Sequence, residues 1–272
     1  MTTLPTRTLG KTGLTVSAVG FGGIPIMRHD HDTAVAVVTA ALNAGVTFID
    51  TAIGYGDSHT KIGAAIAGQR EGLVIASKSG ASTQADMARD IETSRADLGI
   101  DTIDIFQLHG VSLDSWPTIS GPGGALEALI EAKAAGTINH IGFSSHDVDT
   151  ALQLAREPIF ETVQFPFNLV THEPADELIP VARENNLGFI VMKPMCGGQF
   201  DDADLAFKFL NGYPDLVAIP GIETAGEIEQ IARIVASGET LTGAELARAQ
   251  EIADRLGKVF CRRCGYCQPC PE

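Results

Sequence analysis

The sequence predicts an α/β fold: a (β/α)8 (TIM) barrel with a short N-terminal β-hairpin and a C-terminal cysteine-rich tail. Two observations predict it. A short apolar run, a stretch of helical period and a turn recur eight times along the 272 residues. No Pro- or Ser-rich linker and no low-complexity stretch interrupts them, so the repeats belong to one domain. A doubly wound sheet is the alternative. It is weakened because Gly20-Phe-Gly-Gly runs into Ile24-Pro25 and not into a helix, and because no G-x-x-x-x-G-K-[ST] loop exists.

Each element has its own signal. Thr8-Leu9 and Leu14-Thr15-Val16, around Gly10-Lys-Thr-Gly, read as a hairpin at the barrel floor. The strands are expected at residues 18–21, 46–50, 73–77, 103–108, 138–143, 162–166, 188–192 and 216–219. These runs are rich in Val, Ile and Phe and have the length of buried parallel strands. Helical faces lie between them. Val35, Val38 and Leu42 share one, with Gly45 as its stop. Ala175, Leu178, Ile179 and Ala182 form another, and Ile228, Ile231, Ala232 and Val235 a third. A further helix follows the eighth. Thr242-x-x-Glu245 is its capping box, Leu246, Ala249, Ala253 and Leu256 its apolar stripe, and Gly257 its end. The expected units are a barrel over 1–257 and a tail over 258–272.

Composition narrows the partners. Lys plus Arg number 19 against 34 Asp plus Glu, a formal charge of −15. Such a surface repels phosphate backbones and anionic headgroups, which argues against nucleic acid and membrane as partners. The 44% apolar and 19% charged residues are those of a globular protein, not a disordered one. The opening MTTLPTRTLGKTGL has no apolar core of a secretory signal. Stretch 33–49 is broken by Asn43 and Gly45 and is shorter than the about 20 residues of a membrane span. A soluble cytoplasmic protein is expected.

In such a barrel the chemistry lies where strands end. Asp50 ends the second expected strand, Tyr55 follows in its loop, Lys78 ends the third and His109 the fourth. Singly, Asp50 reads as a loop cap, Tyr55 as a rim aromatic and His109 equally as a core histidine or a ligand. Lys78 is less ordinary, since lysine rarely ends a buried strand without a partner. Together they suit carbonyl reduction. A carbonyl that accepts hydride needs a proton at its oxygen. Tyrosine can give one if a nearby ammonium lowers its pKa of about 10 towards neutrality. Asp50 would compensate the lysine, and a neutral imidazole would orient the carbonyl.

At this point the sequence resembles the aldo-keto reductases. The matching stretches are Arg7-Thr-Leu-Gly-Lys-Thr-Gly-Leu-Thr-Val-Ser, Phe48-Ile-Asp-Thr-Ala-Ile-Gly-Tyr-Gly, Ile75-Ala-Ser-Lys, Gln107-Leu-His, Ile141-Gly-Phe-Ser and Val163-Gln-Phe-Pro-Phe-Asn. The resemblance runs from residue 7 to about 230. It implies a barrel that reduces an aldehyde or ketone with NAD(P)H, or runs the reverse, with Asp50, Tyr55, Lys78 and His109 as the catalytic set and Tyr55 as proton donor. The stretch His109-Gly-Val-Ser-Leu-Asp departs from the family's pattern.

The resemblance also implies the cofactor site. Gly22, Ile24 and Asp50 lie at the first two strand ends. Ser144, Ser145 and Gln164 take the places that hold the nicotinamide carboxamide, with Asn168 close by. Met192 stands where many relatives place an aromatic ring, and Lys193 follows it. Pro220, Gly221, Ile222 and Glu227 come after the eighth strand. There Glu223, Glu227 and Glu229 oppose a 2′-phosphate, and Arg233 comes late, so NAD is favoured over NADP. The amides of the following helix N-terminus remain a possible phosphate site. Cys196 reads as ordinary strand-end packing.

The tail reads Cys261-Arg-Arg-Cys264-Gly-Tyr-Cys267-Gln-Pro-Cys270-Pro-Glu. Cysteines at two-residue spacing ending in Cys-Pro are typical of iron–sulfur ligation. The stretch resembles the ferredoxin-like extension of one aldo-keto reductase subgroup. A [4Fe–4S] cluster on four or three of the cysteines, a tetrahedral zinc and empty thiols stay open. An enzyme acting on a small-molecule carbonyl is the leading expectation. A redox-sensing or regulatory cofactor-binding subunit with an electron-transfer partner is the alternative.

Overall fold

A computed structural model of the protein describes residues 3–256. Strands β1 (Thr6–Thr8) and β2 (Thr15–Ser17) form the expected antiparallel hairpin, with Arg7 opposite Val16. Leu9 and Val16 are fully buried against Phe48, Val74, Ile105 and Ile190 and plug one end of the barrel.

Eight parallel strands follow: β3 (Phe21–Gly22), β4 (Phe48–Asp50), β5 (Val74–Ser79), β6 (Ile103–Leu108), β7 (Ile138–Ser144), β8 (Thr162–Pro166), β9 (Gly188–Met192) and β10 (Val217–Ile219). They pair in sequence order. Parallel bridges Val19–Ala218 and Gly22–Gly221 bring the last strand back to the first. A Cβ on Gly22 would stand 2.8 Å from the carbonyl oxygens of Ile219 and Pro220, so the seam closes only around glycine.

The helices are α1 (His31–Asn43), α2 (Ser58–Ile66), α3 (Gln84–Leu98), α4 (Trp116–Ser120), α5 (Ala125–Ala134), α6 (Val148–Leu154), α7 (Leu178–Glu184), α8 (Ala203–Asn211), α9 (Ala225–Ser237) and α10 (Gly243–Leu256). Helices α1–α3 and α5–α8 are the crossovers between successive barrel strands, and α9 follows β10. Several of their starts carry local caps. Asp30, Thr83 and Asp147 each accept a backbone N–H of the first turn, and Thr224 with Glu227 forms a complete capping box.

Several sequence expectations shift. The first strand lies later than 18–21, because Gly20, Gly22 and Gly23 curve this segment along the seam. The buried face of α1 is Ala34, Val37, Val38 and Ala41, and Val35 and Leu42 sit at its partly buried flank. Leu246 is 53% exposed, because α10 packs through Ala249 and Ala253 alone among its fully buried positions. Helix α4 carries no apolar periodicity of its own and was not expected. Gly257 and the four tail cysteines lie outside the described residues. Among the described residues no helix is long and apolar enough to cross a membrane.

Candidate active site

The C-terminal ends of the strands surround a cleft of about 570 Å3. Asp50 is the last residue of β4 and Lys78 stands one residue before the end of β5, on the neighbouring strand. Both point inward and are 1–2% exposed. The Lys78 ammonium donates to Asp50 Oδ1 at 2.6 Å and to the Thr51 carbonyl at 2.7 Å. Gln107 Nε2 donates to Asp50 Oδ2 at 3.3 Å, and Gln164 also hydrogen-bonds this carboxylate. Burial pushes the Asp50 carboxyl above its ordinary range and Lys78 pulls it back. The ammonium at contact offsets part of the cost of burying the carboxylate.

Tyr55 lies on the turn between β4 and α2, and its ring is buried. Lys78 Nζ is 5.0 Å from the ring centroid. The His109 ring meets Tyr55 edge-to-face, with centroids 5.8 Å apart and planes at 84°. Burial, reinforced by Lys78, His146 and Lys193, lowers the His109 pKa to about 3. His109 is therefore a neutral imidazole at physiological pH. Asp50 and Tyr55 line the cleft, and Lys78 and His109 pack against them without reaching its wall.

The cofactor candidates divide. Gly22, Ile24, Asp50, Gln164, Met192, Lys193, Pro220, Gly221 and Glu227 line the cleft. Ser144, Ser145 and Ile222 are buried and are not in its wall. The Ser144 hydroxyl accepts from Gly110 N at 2.9 Å, and that of Ser145 donates to the Val111 carbonyl at 2.8 Å. Both serines thus secure the loop that follows His109. Asn168 also organises a loop. It accepts from the amides of Val170 and Thr171 at 2.9 and 2.8 Å and donates to the Lys193 carbonyl at 2.9 Å. Cys196 is buried with its thiol 3.2 Å from Asn168 Oδ1, as packing at a strand end predicts.

Helix α2 fixes the surroundings through polar contacts of Ser58, His59 and Lys61. The Ser58 hydroxyl donates to the Gly23 carbonyl at 2.9 Å. His59 Nε2 meets Ser77 Oγ, on the outer face of β5, at 2.8 Å. Lys61 is 2% exposed and donates to the carbonyls of Ile26 and His29 at 3.1 and 2.7 Å and to Asp57 Oδ1 at 2.7 Å. Burial and the Lys78 charge lower the His59 pKa to about 4.

Sequence reasoning missed several groups here. Gln107 was readable as a polar residue inside a buried strand. The pairs Lys193–His146, at 2.7 Å, and Arg28–Glu223, also at 2.7 Å, join residues far apart in the chain and left no local signal. No group of three or more His, Cys, Asp or Glu among the described residues could hold a metal ion.

The barrel carries these ionisable groups at its strand ends, and comparison gives its family. The model of the aldo/keto reductase family matches residues 18–209, and the chain belongs to that family. It is 28% identical over 210 residues to the aldo-keto reductase YhdN of Bacillus subtilis, a match covering 70% of this chain and 62% of that protein. The chain thus spans less than two thirds of that relative. The solved structure of an aldo-keto reductase from Klebsiella pneumoniae in complex with NADPH superposes with a TM-score of 0.77 at 25% identity, covering 96% of this chain and 97% of that one. The holo form of the Bacillus halodurans aldo-keto reductase AKR11C1 has the same fold, with a TM-score of 0.80 at 20% identity over 96% of this chain and 99% of that one.

Proposed function

We propose that the protein is an NAD(P)H-dependent oxidoreductase that reduces an aldehyde or ketone to the alcohol, or runs the reverse reaction. The observation that carries this reading is Tyr55 at the cleft, beside the buried Lys78–Asp50 pair and a neutral His109. Family membership and the NADPH held by the Klebsiella relative support it.

The residues present fit a nicotinamide dinucleotide. Gln164 Oε1 is buried at the cleft with no hydrogen-bond partner, and it would accept from the carboxamide –NH2. Met192 offers an apolar, polarizable wall to the ring. The dinucleotide, when bound, supplies or takes up the hydride. Tyr55 donates the proton to the carbonyl oxygen. The Lys78 ammonium favours the resulting phenolate, and Asp50 holds that ammonium in place. His109, neutral, donates a hydrogen bond to the same oxygen and orients the carbonyl. The Tyr55 and His109 rings are in edge-to-face contact, which supports their acting on the same substrate group.

The far end of the cleft favours NADH. Glu223 and Glu227 line it, and their charge opposes a 2′-phosphate. The Glu227 carboxylate also accepts the amides of Glu223 and Thr224 at 2.7 and 3.0 Å, which places its negative charge at the start of α9. Small-molecule carbonyls are the substrates. Turnover of a panel of aldehydes, followed by nicotinamide absorbance, tests the reading; no turnover with any of them, in either direction, contradicts it.

The cysteine run Cys261, Cys264, Cys267 and Cys270 supports a separate proposal, a [4Fe–4S] cluster that passes electrons to a partner. Zinc at the same thiolates is the alternative occupant.

A further inference from the structure

Two basic side chains meet at the cleft. Lys193 directly follows β9, and His146 lies two residues beyond β7. Strand β8 runs between those strands and carries Gln164. Lys193 Nζ and His146 Nε2 stand 2.7 Å apart, so the pair bridges β7 and β9 past the end of β8. Both residues line the same cleft as Tyr55 and Gln164. His109 follows β6, the other neighbour of β7. Burial and Lys78 lead the causes that depress the His109 pKa, and His146 and Lys193 come next, so both stand within electrostatic reach of it.

The backbone under each base is fixed. Lys193 has a φ of 57°, in the left-handed region that lysine rarely adopts. Buried Asn168 sustains that conformation, because its Nδ2 donates to the Lys193 carbonyl while its Oδ1 accepts the amides of Val170 and Thr171. Strained residues of this kind concentrate at ligand sites. His146 is set between buried Ser145, whose hydroxyl donates to the Val111 carbonyl, and Asp147, which caps α6. The imidazole accepts from the ammonium and brings no countercharge, so it orients the positive charge without cancelling it. The chain as a whole carries a formal charge of −15 and repels anions at long range. A cation at this place therefore acts on a group in contact with it and not by steering from afar.

We propose that Lys193, oriented by His146, binds an anionic group of the carbonyl substrate, a carboxylate or a phosphate, while Tyr55 engages its carbonyl oxygen. The preferred substrates are then small oxo acids or phosphorylated aldehydes, not neutral carbonyls. An ammonium makes short, charge-assisted hydrogen bonds to either anion, and an ammonium already oriented loses less freedom in making them. This inference rests on the reductase reading of the site.

The test compares kcat/KM for matched aldehydes with the purified full-length protein at saturating NADH or NADPH. Succinic semialdehyde is set against butanal, 4-carboxybenzaldehyde against 4-methylbenzaldehyde, and glyceraldehyde 3-phosphate against glyceraldehyde. The first two pairs read a carboxylate and the third a phosphate. In wild type at least one charged aldehyde is expected to exceed its neutral counterpart by about tenfold, the effect of a charge-assisted hydrogen bond. Lys193→Met is expected to lower that ratio about tenfold, chiefly through KM. His146→Leu should lower it about threefold, because the lysine must then be ordered when the anion binds. The ratio cancels any effect of either substitution on the dinucleotide, and thermal melts confirm that each variant folds. Neutral aldehydes turned over as well as every charged counterpart, or a ratio that either substitution leaves unmoved, overturns the proposal and leaves the reductase reading intact. No turnover of any aldehyde overturns both.

Discussion

Lys78 Nζ lies 2.6 Å from Asp50 Oδ1, with both side chains withdrawn from solvent at adjacent strand ends. Each charge is therefore tolerable only because of the other. Lys78→Met strands a buried carboxylate and is expected to cost about 3–5 kcal/mol of stability. Adding Asp50→Asn should recover much of that loss, because it removes the unpaired charge while keeping groups for Gln107 and Gln164 to bond. Urea unfolding of both singles and the double checks it. A double variant no more stable than Lys78→Met contradicts the coupling.

Acid stability follows from two buried histidines. His59 and His109 are held at about 4 and about 3 in the folded state, below the ordinary 6.5. Protons then bind the unfolded chain first, so this contribution is full above about pH 6.5 and is lost as pH falls towards about 4 for His59 and about 3 for His109. The expected slope is up to about 1.4 kcal/mol per pH unit for each histidine. His59→Gln, which retains a hydrogen-bonding group for Ser77, should flatten the decline between pH 6 and pH 5, a window set by the two depressed values. An unaltered slope in urea midpoints contradicts the assignment of His59.

Gln164 presents an unpartnered oxygen to the cleft while its amide contributes to holding Asp50. Gln164→Leu is expected to weaken nicotinamide dinucleotide binding about tenfold, the cost of one buried hydrogen bond. Equal affinity in calorimetric titrations of wild type and variant would show that the carboxamide binds elsewhere.

Much of this arrangement was legible in the sequence, for physical reasons. Strands at 103–108, 162–166 and 188–192 match β6, β8 and β10's neighbour β9 residue for residue, because fully buried strands leave unbroken apolar runs. Asp50, Lys78 and His109 stood out as polar side chains where such runs stop. The first strand was blurred by glycines that serve the seam. Leu246 was misplaced because helical period gives a face but not what covers it. Partners such as Arg28 and Glu223, 195 residues apart, carry no shared local pattern. Ser144 and Ser145 were placed correctly along the chain, but their hydroxyls turn to the loop after His109.

The tail carries an independent prediction. Thiolates spaced as Cys261, Cys264, Cys267 and Cys270 repel one another unless a metal compensates them. Protein purified without oxygen should contain iron and show a broad visible absorption that air removes. Iron below about one-tenth of an atom per chain refutes the cluster, and zinc in its place identifies the alternative.

The central claim is that Tyr55 gives the proton, and the measurement closest to it compares Tyr55→Phe with wild type in two assays. One is aldehyde turnover at saturating NADH or NADPH, and the other is binding of the same cofactor. The phenyl ring preserves the packing against His109 and the face presented to Lys78 but removes the acidic hydroxyl. The account predicts kcat reduced by about 100-fold to 10,000-fold, the range of a lost general acid, with cofactor affinity within about twofold. A Tyr55→Phe variant with wild-type kcat contradicts it.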